Sequence, residues 1–356
     1  MTDQLLYEIA FANLLGITNK QRKELLLLFD TAKNIYAACE KGDLVLKDQW
    51  QLSLAEKEIE FIIKHQINAI SVLDKQYPNR LLHCEDGPTM LYHKGSRDFN
   101  LPRLVSIIGT RKITIQVQKI MEELLEGIRH LNLGIISGLA IGTDGIAHAT
   151  AVKMGIPTWG ILAHGLDTIY PNQHRKLAIA MMQNGGLITE FTKGTPTLPF
   201  HFPKRNRIVA GMSDVTIVVE SEIKGGSMIT ANLARDYDRD LFAVPGRIHD
   251  NKSKGCLQLI SEHKAQVYMN PVHLLEQLNW EPAPQPADLP LVVKIEAPIS
   301  PLLKELLLYI KSQGPVHRDQ LSIQFNINNG ELSSYLLHLE MLGTIYMQAG
   351  NRFASR

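Results

Sequence analysis

The densest cluster of chemically capable side chains in this 356-residue chain is Phe200-His201-Phe202-Pro203-Lys204-Arg205-Asn206-Arg207. Three permanent cations stand there beside two aromatic rings. A guanidinium fork and an ammonium point charge suit phosphate oxygens, and an aromatic face suits an unstacked base. The run therefore reads as a platform for a single nucleic-acid strand. Lys204, Arg205 and Arg207 would neutralise phosphates, Asn206 would donate hydrogen bonds, and Phe200 or Phe202 would stack. A solvated basic helix start, with one Phe in the core, is the plainer reading of the same residues.

Three further segments put glycine next to helix starts. At Gly109-Thr110-Arg111 an apolar run gives way to a helical pattern, so backbone N–H groups and a cation converge where a helix N-terminus favours an anion. The dinucleotide fingerprint GxGxxG is absent, because Thr110, Arg111 and Lys112 follow Gly109. Ser137-Gly138 opens a segment with further glycines at 142 and 145, dense enough for close backbone approach to a phosphate or between helix and sheet. Within it Asp144 and His148 are spaced i, i+4, which fits an acid–base pair or, more commonly, a local structural hydrogen bond. The loop Lys224-Gly225-Gly226-Ser227 offers Ser227 as the N-cap of a following helix, suited to an oxyanion. No GxxxxGK[ST], GxSxG or HExxH string occurs. These loops collect anion-binding elements without a nucleophile, which points to a site that holds phosphate and has no catalytic residue, cofactor or metal.

The elements that must position these loops fall into compositional zones. Residues 76–280 alternate short apolar runs, at 104–108, 134–137, 158–163, 187–190, 215–220 and 241–244, with helical stripes such as Val117, Ile120, Met121, Leu124, Leu125 and Ile128, for which Thr114 is the candidate N-cap. Repeated strand-helix-strand units predict an α/β fold with a doubly wound, mostly parallel sheet, whose ligands bind at the carboxyl ends of its strands. Residues 1–75 carry helical spacing at 4–15, 20–29 and 54–64 and form a small helical domain of helix-hairpin-helix or SAM-like type. There the turn at Gly16 before Lys20 and Arg22 is either a phosphate-binding hairpin or simply a glycine that ends a helix. Five prolines in 281–298 predict a semi-rigid linker, and 299–356 reads as three helices and a hairpin, a winged helix. Its third helix, with two acids, one His and no Lys or Arg, fits protein docking at least as well as DNA.

Bulk properties narrow the field. A formal charge of +1 excludes a globally basic wrapper of DNA, so nucleic-acid contact must come from a local cation cluster. The scattered Cys39, Cys84 and Cys256 predict neither a disulfide framework nor a zinc site. An acidic N-terminal stretch and the lack of any long apolar run predict a cytoplasmic protein.

At these same residues the chain closely resembles the DNA-processing protein A (DprA, also called Smf) family. The shared strings are Gly109-Thr110-Arg111, Ser137 to Ala140 with Asp144 and His148, Gly165-Leu166-Asp167 with Tyr170-Pro171, and Thr189-Glu190. They continue through Phe202 to Arg207, Gly225 to Ala231, and Val244-Pro245-Gly246, in order over about 170 residues. The chain departs from the usual pattern at Thr110, Thr143 and Leu257, where the family usually has Ser, Ile and Asn. The resemblance implies a Rossmann-like, dimerising core that binds single-stranded DNA without much sequence preference. It further implies protection of incoming strands and loading of the RecA recombinase in natural transformation, with flanking helical and winged-helix domains. Arg111 and Lys204 to Arg207 would be DNA contacts, and Ser137-Gly138 and Gly225 to Ser227 would line the same pocket. Two other readings fit the same residues. One is a phosphoribohydrolase-like nucleotide enzyme, for which Glu190 and Glu220 are the acids at strand ends. The other is a docking platform built around the winged helix.

Overall fold

The computed structural model describes residues 2–96, 98–280, 300–348 and 351–355. The Pro-rich segment 281–298, read as a linker, lies outside the described residues. The chain divides into two compact units, one ending at Trp280 and one following it.

The first unit is organised by nine strands: β1 Asn68–Ser71, β2 Met90–Gly95, β3 Arg103–Ile108, β4 Leu133–Ser137, β5 Thr158–Ile161, β6 Gly185–Thr189, β7 Val215–Val218, β8 Asp240–Ala243 and β9 Gln266–Val267. They lie in the order β1-β2-β6-β5-β4-β3-β7-β8-β9. Every pairing from β6 to β9 is parallel, while β1 and β2 are added antiparallel at one edge. The chain winds from β3 outward to β6, then returns to place β7 on the other side of β3. That reversal leaves a crevice beyond the carboxyl ends of β3 and β7.

Side chains alternate between two cores, which is why these strands read as nearly unbroken apolar runs. Leu104, Ile136, Val218 and Leu241 face one core with Trp159, Ile208 and Met228. Val105, Ile107, Ile135, Ile217 and Phe242 face the other, against Val117, Met121, Leu124 and Ile128 of the helix Gln116–Ile128. The N-cap of that helix is Ile115, not Thr114. Thr114 is instead drawn to Glu220 at the end of β7, its amide 3.0 Å from Oε2 and its hydroxyl bonded to Oε1.

Residues 68–71, within the zone read as helical, join the sheet as β1. Before them come helices Thr2–Ala12, Asn19–Phe29, Ala32–Lys41 and Leu52–His65, the third of which was not anticipated because its buried apolar positions are mostly small alanines. The turn at Gly16 has φ +76°. Its neighbour Leu15 donates its amide to Asp48 Oδ2 at 2.7 Å. Arg22 is buried and caps the end of the first helix, bonding the Phe11 and Leu14 carbonyls, and Lys20 pairs with Glu85 at 3.1 Å. The hairpin's donors and cations are thus spent inside the unit, and the glycine acts as a helix stop.

The second unit has helices Pro301–Gln313, Arg318–Phe325 and Asn329–Met341, followed by a hairpin of β11 Ile345–Gln348 and β12 Arg352–Ser355. A short β10, Val316–His317, pairs with β12 and extends the expected hairpin to three strands. Leu306, Ile310, Leu321, Leu332, Leu339 and Phe353 close its core. Among the described residues no helix is long and apolar enough to cross a membrane.

Among the four buried histidines of the first unit are His93 on β2 and His148 in the helix Thr143–Lys153. Burial pushes these two down from the usual histidine range, to about 4 and about 3 respectively. Both are neutral in the fold, and the unfolded chain gains protons first as pH falls below about 6.5. Stability is therefore complete above that value and falls below it, by about 1.4 kcal/mol per pH unit for each histidine. Urea unfolding at pH 7 and pH 5 reads this slope. A His93→Gln, His148→Gln double variant should flatten it, and an unchanged slope would show that other groups control the acid limb.

Candidate nucleic-acid interface

The crevice between β3 and β7 is a cleft of about 410 Å³. The loop after β3 gives it Gly109, Thr110, Arg111 and Lys112. The helix His201–Gly211 gives Phe202, Arg205 and Asn206, and the helix Gly226–Asp236 opens on the opposite wall with Gly225, Gly226 and Ser227.

Each wall follows from local structure. Thr110 is fixed by its backbone, donating its amide to the Glu220 carbonyl at 2.8 Å and accepting from the Thr143 amide at 3.2 Å. That fixed turn leaves Arg111 and Lys112 exposed at the mouth. The Arg111 guanidinium lies 5.2 Å from the Phe202 ring centre, and the Tyr170 ring lies 6.0 Å from the same ring. Phe200 is 66% exposed, and its ring meets His201 edge-on at 4.5 Å. Cationic and aromatic surface thus share one rim, the combination that grips a phosphate and presents a stacking face.

On the facing wall the N-cap is Gly225, not Ser227. Ser227 is buried and its hydroxyl is shared with Ser221 at 2.8 Å. The oxyanion feature is therefore the bare backbone: the first amides of a helix have no intrahelical acceptor, and the helix dipole adds partial positive charge there.

The floor is Arg205. It is buried, and its guanidinium donates to the carbonyls of Gly138 and Ile161, while Nε reaches Asn206 Oδ1 at 3.2 Å. A Cβ on Gly138 would sit 2.6 Å from that guanidinium, so glycine is required for the fit. Burial lowers Arg205 to about 10, still charged at neutral pH. Asp144 offsets this charge from below, accepting from the Gly138 and Ala140 amides at 3.1 and 3.3 Å, and burial pushes its carboxyl up.

Several sequence expectations are corrected by this geometry. Arg205 is a floor held by carbonyls, not a free phosphate neutraliser. Arg207 is outside the cleft, buried and ion-paired with Glu190, with a further bond to the Asp86 carbonyl at 2.7 Å. Lys204 is exposed but points to the outer side, 3.6 Å from Glu190 and 5.1 Å from the Phe191 ring centre. Ser137 is fully buried and donates to the Ile107 carbonyl at 2.6 Å. Asp144 and His148 form no pair, since His148 Nδ1 lies 2.7 Å from the Thr158 hydroxyl. Neither Glu190 nor Glu220 lines the cleft. The acids that do are the buried Asp144 and the exposed Glu222, and the sequence reading missed Glu222 together with Lys112, Ile229 and Thr230. Lys112 and Glu222 adjoin recognised motifs, and that adjacency was the available signal.

A doubly wound sheet with a cationic, aromatic-rimmed cleft at its reversal point defines a Rossmann-like fold whose cleft geometry suits an anion. The family model for DNA recombination-mediator protein A matches residues 68–279. The DNA processing protein DprA of Streptococcus pneumoniae is 34% identical over 266 residues, covering 72% of this chain and 92% of the relative. Its crystal structure superposes with TM-score 0.62 at 30% identity, covering 76% of this chain and 97% of that one. DNA processing protein A of Helicobacter pylori, whose structure addresses its single-stranded DNA binding mode, superposes with TM-score 0.55 at 30% identity, covering 60% and 96%. The chain belongs to the DNA recombination-mediator protein A (DprA/Smf) family.

Proposed function

We propose that this protein binds single-stranded DNA in the cleft between β3 and β7 and acts as a recombination mediator, not as an enzyme. The observation that carries the reading is the shared rim of Arg111, Lys112 and Phe202 facing the open N-terminus of the helix Gly226–Asp236. Phosphates sit against Arg111, Lys112 and the amides of Gly226 and Ser227. Asn206 contributes a hydrogen bond, and bases stack on Phe202, Tyr170 or Phe200. The family resemblance adds the rest of the proposal: a cytoplasmic homodimer formed through the core, protection of incoming strands, and delivery of those strands to RecA during transformation.

A nucleotide-hydrolysing reading has one exposed acid in the cleft to use, Glu222, because Asp144 is buried and taken up by the Gly138 and Ala140 amides. The purified protein is expected to hold a labelled oligo-dT and to release no free base from a nucleoside monophosphate. Base release that disappears in Glu222→Gln would establish the enzyme reading in its place. A smaller effect is expected at Lys112: its replacement by Gln should weaken strand binding about fivefold and lower the salt slope by about 0.7, as for one lost phosphate contact.

A further inference from the structure

A second groove, of about 670 Å³, lies on the far side of the loop 162–171 that follows β5. The near side of that loop, at Leu162, Ala163, His164 and Tyr170, borders Phe202 and Arg111. The groove is walled by the helix Leu52–His65 and the helix Arg175–Met181, with Lys94 of β2 and Lys193 of the loop after β6 between them. Its cations are Lys57, Lys64, Lys94, Arg175 and Lys193, against two acids, Glu60 and Asp167. In a chain whose formal charge is only +1, that is a strong local excess.

The acids do little to cancel it. Asp167 is used as a loop clamp, accepting the Gly194 amide at 3.1 Å and so tying the loop after β5 to the loop after β6. Among the described residues none of the five cations forms an ion pair. Lys193 is held over the Phe61 ring at 5.2 Å, and its amide is fixed by Glu58 at 2.9 Å. Lys57, Glu60 and Lys64 share one helix face at i, i+3, i+7. Helical spacing alone hides this patch, because its other members come from three separate segments of the chain.

We propose that this groove carries the sugar-phosphate backbone of a strand after it leaves the cleft, so that one binding site runs from Arg111 and Phe202 over the loop 162–171 to Lys193, Lys57 and Lys64. Three features favour this occupant. The groove adjoins the loop that borders the aromatic rim. Lys193 stands in the loop 190–200 that leads from β6 into the helix carrying Phe202, so the same loop joins the groove to the cleft wall. Unpaired lysines spread along a trough suit a flexible polyanion that makes no base-specific contacts. The inference rests on the proposed strand binding in the cleft.

The test compares labelled oligo-dT of about 6 and about 20 nucleotides, lengths that bracket common single-strand site sizes. Each is titrated against the full chain, a Lys57→Glu, Lys64→Glu variant and an Arg111→Ala variant, across a salt series. Both lysines are exposed, and thermal midpoints check folding. The double variant should bind the short strand as the parent does. It should bind the long strand about tenfold more weakly, with a salt slope lower by about 1.4 for two lost contacts. Arg111→Ala should weaken both lengths. Equal long-strand affinity in parent and double variant overturns the groove and leaves the cleft reading standing. Full affinity of Arg111→Ala for both lengths overturns the cleft reading and, with it, a path that begins there. Should the double variant lose folding, Arg175→Glu supplies the same comparison with one contact removed.

Discussion

Arg111→Ala is expected to lower affinity for single-stranded oligo-dT by roughly 10- to 100-fold, the equivalent of about 1.5–3 kcal/mol for one charged hydrogen-bonding contact. Arg111 is exposed at the mouth of the cleft, and no carboxylate pairs with it among the described residues. Its charge is therefore free to meet a phosphate, and its hold on the Phe202 ring at 5.2 Å is lost with it. The salt slope should flatten by about 0.7. Arg111→Lys should fall between parent and Ala, since charge is kept and the planar fork is not. Lys119, 81% exposed and paired with Glu123 at 3.7 Å, is the control, and its replacement by Ala should change binding less than about twofold. Equal losses at both positions would mean that Arg111 contributes only to the general field.

Arg205→Met should behave in the opposite way, as a stability variant. The Arg205 guanidinium satisfies the Gly138 and Ile161 carbonyls and compensates the buried Asp144. Removing it leaves an uncompensated carboxylate and two unpaired carbonyls, a loss of about 3–5 kcal/mol. Chemical unfolding measures this directly. A further Asp144→Asn exchange should recover part of the loss by removing the orphaned charge. A folded Arg205→Met of parental stability that had lost strand binding would return Arg205 to the role of phosphate contact.

The contrast between these two arginines shows where sequence reasoning stops. Six strands were legible because each is buried on both faces and is apolar almost throughout, as in β3 and β4. β1, β2 and β9 were not: Asn68–Ser71 begins and ends on polar residues, Gln266–Val267 is only two residues long, and β2 carries His93, Lys94 and Gly95. The cleft loops were legible because each puts glycine between the end of a buried strand and the start of a helix. The direction of each cation was not. Arg205 turns inward to carbonyls 44 and 67 positions away, and Arg207 turns to Glu190 and Asp86. No local pattern records acceptors that only the tertiary fold brings together. Ser227 illustrates the same limit at shorter range, since a partner six residues back takes the hydroxyl that the N-cap pattern assigned to a ligand.

The central claim, an electrostatic single-strand site at the sheet reversal, is tested most directly by fluorescence anisotropy of the full chain with labelled oligo-dT and a matched duplex over a salt series. The account predicts preference for the single strand, with log affinity falling against log salt by about 0.7 for each phosphate contacted. Absence of binding to either DNA at low salt would contradict it and turn the cleft over to a small phosphate ligand.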